Sequence, residues 1–193
     1  MTRRWALRLS VCLVAGTAVL TGCSEKQEAS ESLPTTSTST PTEEELPPLG
    51  PVDLPMPDEA RTQDAAGAEA FVRYYVELVN RTSTVMDAKP LRDLSDGCRD
   101  CDRIADHVEE DSAAGHQYRG GTLTIQDTGP PFMKPGTAEI GLIADQAAAY
   151  AVDSSGSEVP ELALPALPDL SGGASMRWDS RQQTWLMTGF TLE

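Results

Sequence analysis

Residues 24–60 form a proline-rich segment with few residues that could support a core. The segment holds seven prolines, a Thr/Ser tract at 35–40 and three consecutive glutamates at 43–45. Prolines and like charges stiffen and extend a chain, and a segment this poor in apolar residues does not recover the entropy lost on folding. We therefore predict a disordered tether over residues 23–60 and a single folded domain at 61–193.

The residues before the tether have the pattern of an export signal. Three arginines precede an apolar run of about twelve residues at 9–20, which is the length of a signal-peptide core. The run is too short to span roughly 30 Å of hydrocarbon as a helix. It ends in Leu-Thr-Gly-Cys at 20–23, the form of a lipobox, in which the cysteine is acylated and becomes the mature N-terminus. We predict a lipoprotein signal peptide at 1–22 and lipidation of Cys23.

Alternatives for the N-terminus stay open. A plain secretory signal or a short membrane anchor would share the basic and apolar regions. Arg3 and Arg4 also loosely match a twin-arginine export motif, with Ala6 where an aromatic residue is usual. On the lipoprotein interpretation, acyl chains on Cys23 hold the protein on the outer face of the cytoplasmic membrane, because two or more chains give stable anchoring.

The charge of the chain argues against some partners. Without the three arginines of residues 1–22, the chain has 12 Lys and Arg against 30 Asp and Glu, a net charge of −18. Binding to nucleic acids or to anionic lipids needs a basic face. We therefore expect no nucleic acid as a partner, and contact with the bilayer only through Cys23.

The folded part is expected to begin with helices. Apolar residues recur at three- and four-residue spacing from Ala68 to Asn80, which predicts a long amphipathic helix. Asp87 as a cap and Pro90 in the first turn predict a second, short helix. A third helix is predicted after residue 97, ending before Gly115. Its apolar side comprises Cys98, Cys101, Ile104, Ala105 and Val108.

Strands are expected to follow, so the fold class is predicted to be α+β, with helices packed on one face of an antiparallel sheet. Alternating apolar residues predict strands at 118–126, 137–144, 147–152, 175–179 and 184–192. Gly120-Gly121 is interpreted as a bulge, and Trp178 and Trp185 as cross-strand neighbours. Residues 157–173, which hold three prolines, are interpreted as a loop, ordered or mobile, with a role as a lid left open.

The order of one long helix, two short helices and a bent sheet ending in a Trp-bearing hairpin resembles the cone-shaped fold of nuclear transport factor two, SnoaL-like and ketosteroid-isomerase-like proteins. More narrowly, Gly67–Tyr75, Cys98-Arg99-Asp100-Cys101 and Gly120-Gly121 resemble an uncharacterised family of actinobacterial lipoproteins. The resemblance covers residues 61–193 and implies a fold and a location, but no catalytic residue. In the wider fold the sheet leaves a pocket beside the first helix, which implies a ligand site or a surface for a homodimer.

The cysteines are expected to form one disulfide. Cys12 leaves with the signal peptide and Cys23 is acylated, so Cys98 and Cys101 remain as an even pair in an oxidising compartment. A C-x-x-C at a helix N-terminus also fits a redox-active pair, because that position lowers the pKa of a thiol. The neighbouring aspartates oppose a thiolate, and the βαβ context of such motifs is missing from the sequence pattern. We predict a structural disulfide.

Other chemistry finds weaker support in the sequence. His107 and His116 could join the two cysteines in a zinc site, but the spacing matches no zinc module that we can defend. A pocket enzyme would need an inward carboxylate and a tyrosine, and Asp127, Tyr118 and Tyr150 are of those types. Surface positions on strands explain these residues equally well. No catalytic, cofactor-binding or metal-binding residue is predicted.

The expected protein is therefore a membrane-anchored cell-envelope lipoprotein with a non-enzymatic binding domain. Its partner would be another envelope protein or a small apolar molecule held in the pocket. Two alternatives remain: a thiol–disulfide oxidoreductase acting through Cys98 and Cys101, and a pocket enzyme or small-ligand binder of the SnoaL-like type. No cofactor is expected, and the sequence leaves open whether the domain forms a homodimer.

Overall fold

The computed structural model describes residues 47–193 as three helices followed by eight strands. A 3-10 turn at Asp58–Arg61 precedes α1 (Ala65–Val85), α2 (Lys89–Asp93) and α3 (Arg99–Ala113). The strands are β1 (Gln117–Gly120), β2 (Leu123–Thr128), β3 (Phe132–Lys134), β4 (Thr137–Gln146), β5 (Ala149–Val152), β6 (Glu158–Leu164), β7 (Leu167–Asp179) and β8 (Thr184–Leu192). This order confirms the predicted α+β class.

Several predicted features lie outside the described residues. They are the signal peptide at 1–22, the lipidation site Cys23 and residues 24–46 of the tether. Within residues 47–193, no helix combines the length and the apolar character needed to cross a membrane.

Residues 47–60 pack against the domain, whereas the sequence analysis assigns them to the tether. Met56 and Ala60 are buried in the main core, and the hydroxyl of Tyr74 donates to the backbone carbonyl of Leu54 at 3.0 Å. Proline removes a backbone donor but leaves the apolar side chains between prolines free to dock. The predicted domain start at residue 61 is therefore too late, because residues before it already belong to the core.

The guanidinium of Arg61 fixes this N-terminal segment. Arg61 is 7% exposed and donates to the backbone carbonyls of Pro47 at 2.7 Å, Gln182 at 2.8 Å and Gln183 at 3.4 Å. A planar guanidinium with several N–H groups can serve several acceptors at once. Arg61 thereby joins the first described residues to the turn between β7 and β8.

Helix α1 extends beyond the predicted residues 68–80 at both ends. Asp64 caps its N-terminus, since Oδ1 accepts from the backbone N–H of Gly67 at 2.7 Å, and such a cap satisfies a donor that the helix leaves unpaired. The helix ends where Met86 adopts a left-handed conformation, with φ of 60°. The predicted apolar stripe is confirmed, because its buried residues include Phe71, Tyr74, Tyr75, Leu78 and Val79.

Helices α2 and α3 form close to the predicted positions. Helix α2 has Pro90 in its first turn and Leu91 buried. Asp87 precedes it, and its Oδ1 accepts from the backbone N–H of Lys89 at 3.2 Å. Helix α3 begins directly after Cys98 and packs on α2 and β8.

The strands form two antiparallel sheets. The larger sheet has the order β2-β4-β7-β8, with β3 also paired to β4, and the smaller has the order β1-β5-β6. The predicted strand at 118–126 is divided between them. Gly120 and Gly121 adopt φ of 77° and 75°, a region that glycine enters readily. The bulge interpretation is wrong because β1 pairs with β5 whereas β2 pairs with β4.

Residues 157–173 contain β6 and the first part of β7, so the loop interpretation is wrong. Val159 pairs with Ala151 in the smaller sheet, and Gly172 pairs with Leu142 in the larger one. Proline is tolerated in an edge strand or at a strand end. Strand β6 is such an edge, which accommodates Pro160.

The main core lies between the helices and the larger sheet. Trp185 is fully buried and pairs with Trp178 across β7 and β8; their ring centroids are 5.3 Å apart with planes at 73°. This confirms the predicted cross-strand pair. Tyr75 links α1 to the sheet, its ring centroid 5.8 Å from that of Phe190. The smaller sheet has a separate buried cluster comprising Tyr118, Ala149 and Ala151.

Candidate functional site

A cleft of about 230 Å³ lies where the two sheets part, between α1, α3 and the smaller sheet. Its apolar wall is formed by Val79, Ile104, Val108, Leu123, Ala149 and Leu164. Its polar side chains are Asn80, Ser83, His107, Tyr118 and Gln146. An apolar concavity with a few convergent polar groups is the usual form of a small-molecule site.

Two local features shape the cleft. The carboxamide of Asn80 holds β2 against α1, since Nδ2 donates to the backbone carbonyl of Leu123 at 2.9 Å and Oδ1 accepts from its N–H at 2.8 Å. On the other side, Gly120-Gly121 turns the chain from the smaller sheet into the larger. A Cβ at Gly120 would collide with the carbonyl oxygen of Ala148, so a larger residue would force the two sheets to shift.

Four polar side chains meet at one end of the cleft, with Asp111 at their centre. Asp111 is 7% exposed. Tyr118 Oη donates to Asp111 Oδ2 at 2.8 Å, and His116 Nδ1 lies 3.3 Å from Oδ1. His107 Nε2 lies 3.4 Å from Oδ2 and 3.5 Å from Tyr118 Oη. Of these four residues, His107 and Tyr118 also line the cleft.

The phenol of Tyr118 is held in its neutral form. Burial raises the pKa of Tyr118 to about 12, and the hydrogen bond to Asp111 acts in the same direction. A hydroxyl has one donor and two acceptor lone pairs. Because the donor is used on Asp111, the oxygen of Tyr118 has only lone pairs left to offer to the cleft.

The structure places one of the three predicted pocket residues in the cleft. Tyr118 lines it. Asp127 is exposed on β2, with Oδ1 accepting from the backbone N–H of Thr128. Tyr150 is 44% exposed on β5. The carboxylate beside Tyr118 is therefore Asp111, and Asp127 and Tyr150 do not take part in this site.

Asp111 was missed by the sequence analysis, although a signal was present. The buried positions of α3 are Cys101, Ala105, Val108 and Asp111, so the aspartate continues the helical stripe that the sequence shows. A carboxylate on an apolar stripe needs partners, because burying an unpaired charge is costly. His107 and His116 are those partners, together with Tyr118, whereas the sequence pattern suggests surface histidines or weak candidates for zinc ligands.

Cys98 and Cys101 lie at disulfide distance across the first turn of α3, as predicted, with Cα atoms 5.2 Å apart. Cys98 is 0% exposed and Cys101 is 1% exposed. The two sulfurs are bonded to each other, so they are not free to act as thiolate ligands. Within residues 47–193, no group of three or more His, Cys, Asp or Glu side chains could hold a metal ion.

Comparison with known proteins identifies no family, because no family model and no curated protein matches the chain. The solved structure of the intermembrane space region of the chloroplast protein ARC6 aligns with a TM-score of 0.49 and 16% identity, covering 68% of this chain and 97% of that chain. The protein Aln2 from a Streptomyces species aligns with a TM-score of 0.35 and 10% identity, covering 64% of this chain and 86% of that chain. At these TM-scores neither alignment carries an argument about function.

Proposed function

We propose that the protein is a membrane-anchored lipoprotein of the cell envelope whose domain binds a compact, largely apolar molecule without catalysing a reaction on it. The cleft carries this proposal. Its wall is apolar, its polar groups gather at one end, and its volume of about 230 Å³ is just below the roughly 300–1,000 Å³ of sites for drug-sized ligands. The ligand is therefore smaller than a typical drug.

The proposal that no reaction is catalysed rests on the contacts of the titratable side chains in the cleft. Among the described residues that line the cleft, His107 and Tyr118 are the titratable ones. Both face Asp111, which itself does not line the cleft. A general base must reach the proton that it removes, and this carboxylate is already occupied by its neighbours. A pocket enzyme of the SnoaL-like type is the alternative, with Asp111 in place of the carboxylate suggested by the sequence.

The location rests on the lipobox at 20–23 and on the tether composition. Labelling cells that express the protein with an alkyne fatty acid tests it. We expect label on the wild-type chain and none on Cys23→Ser, with the variant leaving the membrane fraction. Ser24→Ala is the matched control and should keep the label. Label that persists on Cys23→Ser would contradict lipidation at this residue.

Ligand binding is tested with the chain from residue 23 onward carrying Cys23→Ser, which avoids a detergent that would compete for an apolar cleft. The neutral dye N-phenyl-1-naphthylamine should gain fluorescence on binding. Ser83→Trp places an indole in the cleft and should abolish the gain. Thr84→Trp, one exposed position further along α1, is the control and should retain it. Equal dye binding by both variants, or none by the parent chain, would contradict the proposal.

A SnoaL-like cone is the finer proposal for the fold. It is supported by register shifts in three strand pairs of the larger sheet, β2 with β4, β4 with β7 and β7 with β8. Such irregularities bend a sheet and increase its twist, and α1 packs against this sheet. A crystal structure with a flat larger sheet would contradict the cone.

The alternative to a binding protein is a thiol–disulfide oxidoreductase that acts through Cys98 and Cys101. Catalytic thiols are at least partly accessible, whereas Cys98 and Cys101 are both buried. This burial favours a structural disulfide.

A further inference from the structure

We propose that the cleft selects ligands that carry a protonated amine as their polar head on a compact apolar body. This inference rests on the proposed binding function and adds the chemical class of the ligand. It comes from the hydrogen-bonding state of Tyr118 and from the charge of Asp111 behind it.

Tyr118, at this end of the cleft, uses its proton in a hydrogen bond to Asp111. Tyr118 Oη donates to Asp111 Oδ2 at 2.8 Å. The Nε2 of His107 lies 3.5 Å from this Tyr118 oxygen and 3.4 Å from Asp111 Oδ2. A ligand head that meets the oxygen of Tyr118 finds a lone pair, which an N–H or O–H donor satisfies and a carboxylate does not.

The charge around this end of the cleft favours a cation. Asp111 lies one hydrogen bond behind Tyr118 and belongs to the last turn of α3, where the helix dipole is negative. Among the described residues that line the cleft, none is Lys or Arg. Because charges interact more strongly where water is partly excluded, an ammonium group gains from Asp111 and a carboxylate group is repelled by it.

Two other acidic residues of α3, Asp106 and Glu109, are paired with an arginine. Arg92 donates to Asp106 at 2.6 Å and to Glu109 at 3.0 Å. Asp111 has no such partner: its contacts in the described part of the chain are the two histidines and Tyr118. Among these three carboxylates of α3, Asp111 is the one that a hydrogen bond connects to a residue lining the cleft, Tyr118.

Three probes that share one apolar body test the head-group preference: 4-phenylbutylamine, 4-phenylbutanol and 4-phenylbutyrate. At pH 8 the amine is protonated, because alkylammonium groups titrate at about 10.4. We expect calorimetry on the chain from residue 23 with Cys23→Ser to give at least tenfold tighter binding for the amine than for the carboxylate, with the alcohol between. Ser83→Trp should abolish binding of the amine, which assigns it to the cleft.

Two substitutions test whether Asp111 and Tyr118 cause the preference for the amine. Asp111→Asn keeps an acceptor for Tyr118 but removes the charge, so it should weaken amine binding at least fivefold and change alcohol binding less than twofold. Tyr118→Phe removes the lone pairs with little change in shape and should weaken both the amine and the alcohol. If Asp111→Asn fails to fold, Tyr118→Phe decides.

The outcomes separate this inference from the binding function on which it rests. Carboxylate binding as tight as amine binding, or an amine affinity unchanged by Tyr118→Phe, would overturn the amine preference and leave the ligand-binding cleft in place. Dye binding without binding of any of the three probes would do the same. Failure of both the dye and the probes to bind would instead overturn the proposed function.

Discussion

The side chain of Asn80 in α1 pairs with the backbone of Leu123 in β2 as a neighbouring strand would, donating to its carbonyl at 2.9 Å and accepting from its N–H at 2.8 Å. Strand β2 is an edge of the larger sheet, and edge strands expose unpaired backbone groups. The side-chain amide of Asn80 thus satisfies both backbone groups of Leu123, the first residue of this edge strand. The same side chain lines the cleft.

Replacement of Asn80 by alanine tests this relationship. Asn80→Ala removes two hydrogen bonds and leaves both backbone groups of Leu123 without their partner, which should lower the free energy of unfolding by about 1–3 kcal/mol. Urea denaturation followed by circular dichroism measures the change. Glu77→Ala, at an exposed position of the same helix, should change stability by less than about 0.5 kcal/mol. Equal effects of the two substitutions would contradict a specific role for Asn80.

The disulfide between Cys98 and Cys101 is expected to stabilise the fold and to resist reduction. Closing so short a loop is worth about 2 kcal/mol in the chain-entropy model, so the double variant Cys98→Ala/Cys101→Ala should lose about that much. Thiol trapping across a glutathione series should place the reduction potential below about −300 mV, as for structural disulfides. A potential between about −200 and −120 mV would instead mark an exchangeable pair and revive the oxidoreductase alternative.

Arg61 is expected to be important for stability although it is charged. Arg61→Ala leaves three backbone carbonyls without their donor in a largely buried place, so we expect a loss of about 2–4 kcal/mol in the free energy of unfolding. Arg61→Lys should recover only part of it, because an ammonium lacks the planar fork of the guanidinium. Arg99→Ala, at an exposed position, is the control. Near-equal stability of the two alanine variants would show that Arg61 is dispensable.

The ionisation of Tyr118 gives the domain a pH dependence in alkaline solution. Its pKa is raised from 10.0 to about 12, by burial and by Asp111, so the folded state favours the neutral phenol. The associated stability is complete below about pH 10 and is lost as the pH rises toward 12. Asp111→Asn should lower the pKa of Tyr118 while leaving it above 10, because the burial remains.

Absorbance at 295 nm follows this titration, and subtraction of the Tyr118→Phe curve isolates the residue. Glu110→Gln, an exposed neighbour of Asp111, should leave the curve unchanged. A Tyr118 curve that Asp111→Asn does not shift would show that the carboxylate is not coupled to the phenol.

The helices could be predicted from the sequence because their signals are local. Three- and four-residue spacing in α1 and proline in the first turn of α2 each act within a few residues. The pairing of Trp178 with Trp185 was predictable for a similar reason, since a short turn joins their strands.

The sheets could not be predicted in the same way, because strand pairing depends on distant partners. Gly120-Gly121 fits a bulge as well as a change of sheet until the partners of β1 and β2 are known. The prolines of residues 157–173 suggested a loop, but an edge strand tolerates them. Likewise, the cleft depends on the separation of two sheets that the sequence pattern treats as one.

The smaller sheet is expected to open more readily than the larger one. Its own buried cluster consists of Tyr118, Ala149 and Ala151, two of which have minimal side chains, and segments with few buried apolar contacts open at low free energy. The amide hydrogens of β5 should therefore exchange with solvent well before those of β4 in the larger sheet. Leu164 lies in β6 and lines the cleft, so opening of the smaller sheet removes one side of the cleft wall while the larger sheet stays folded.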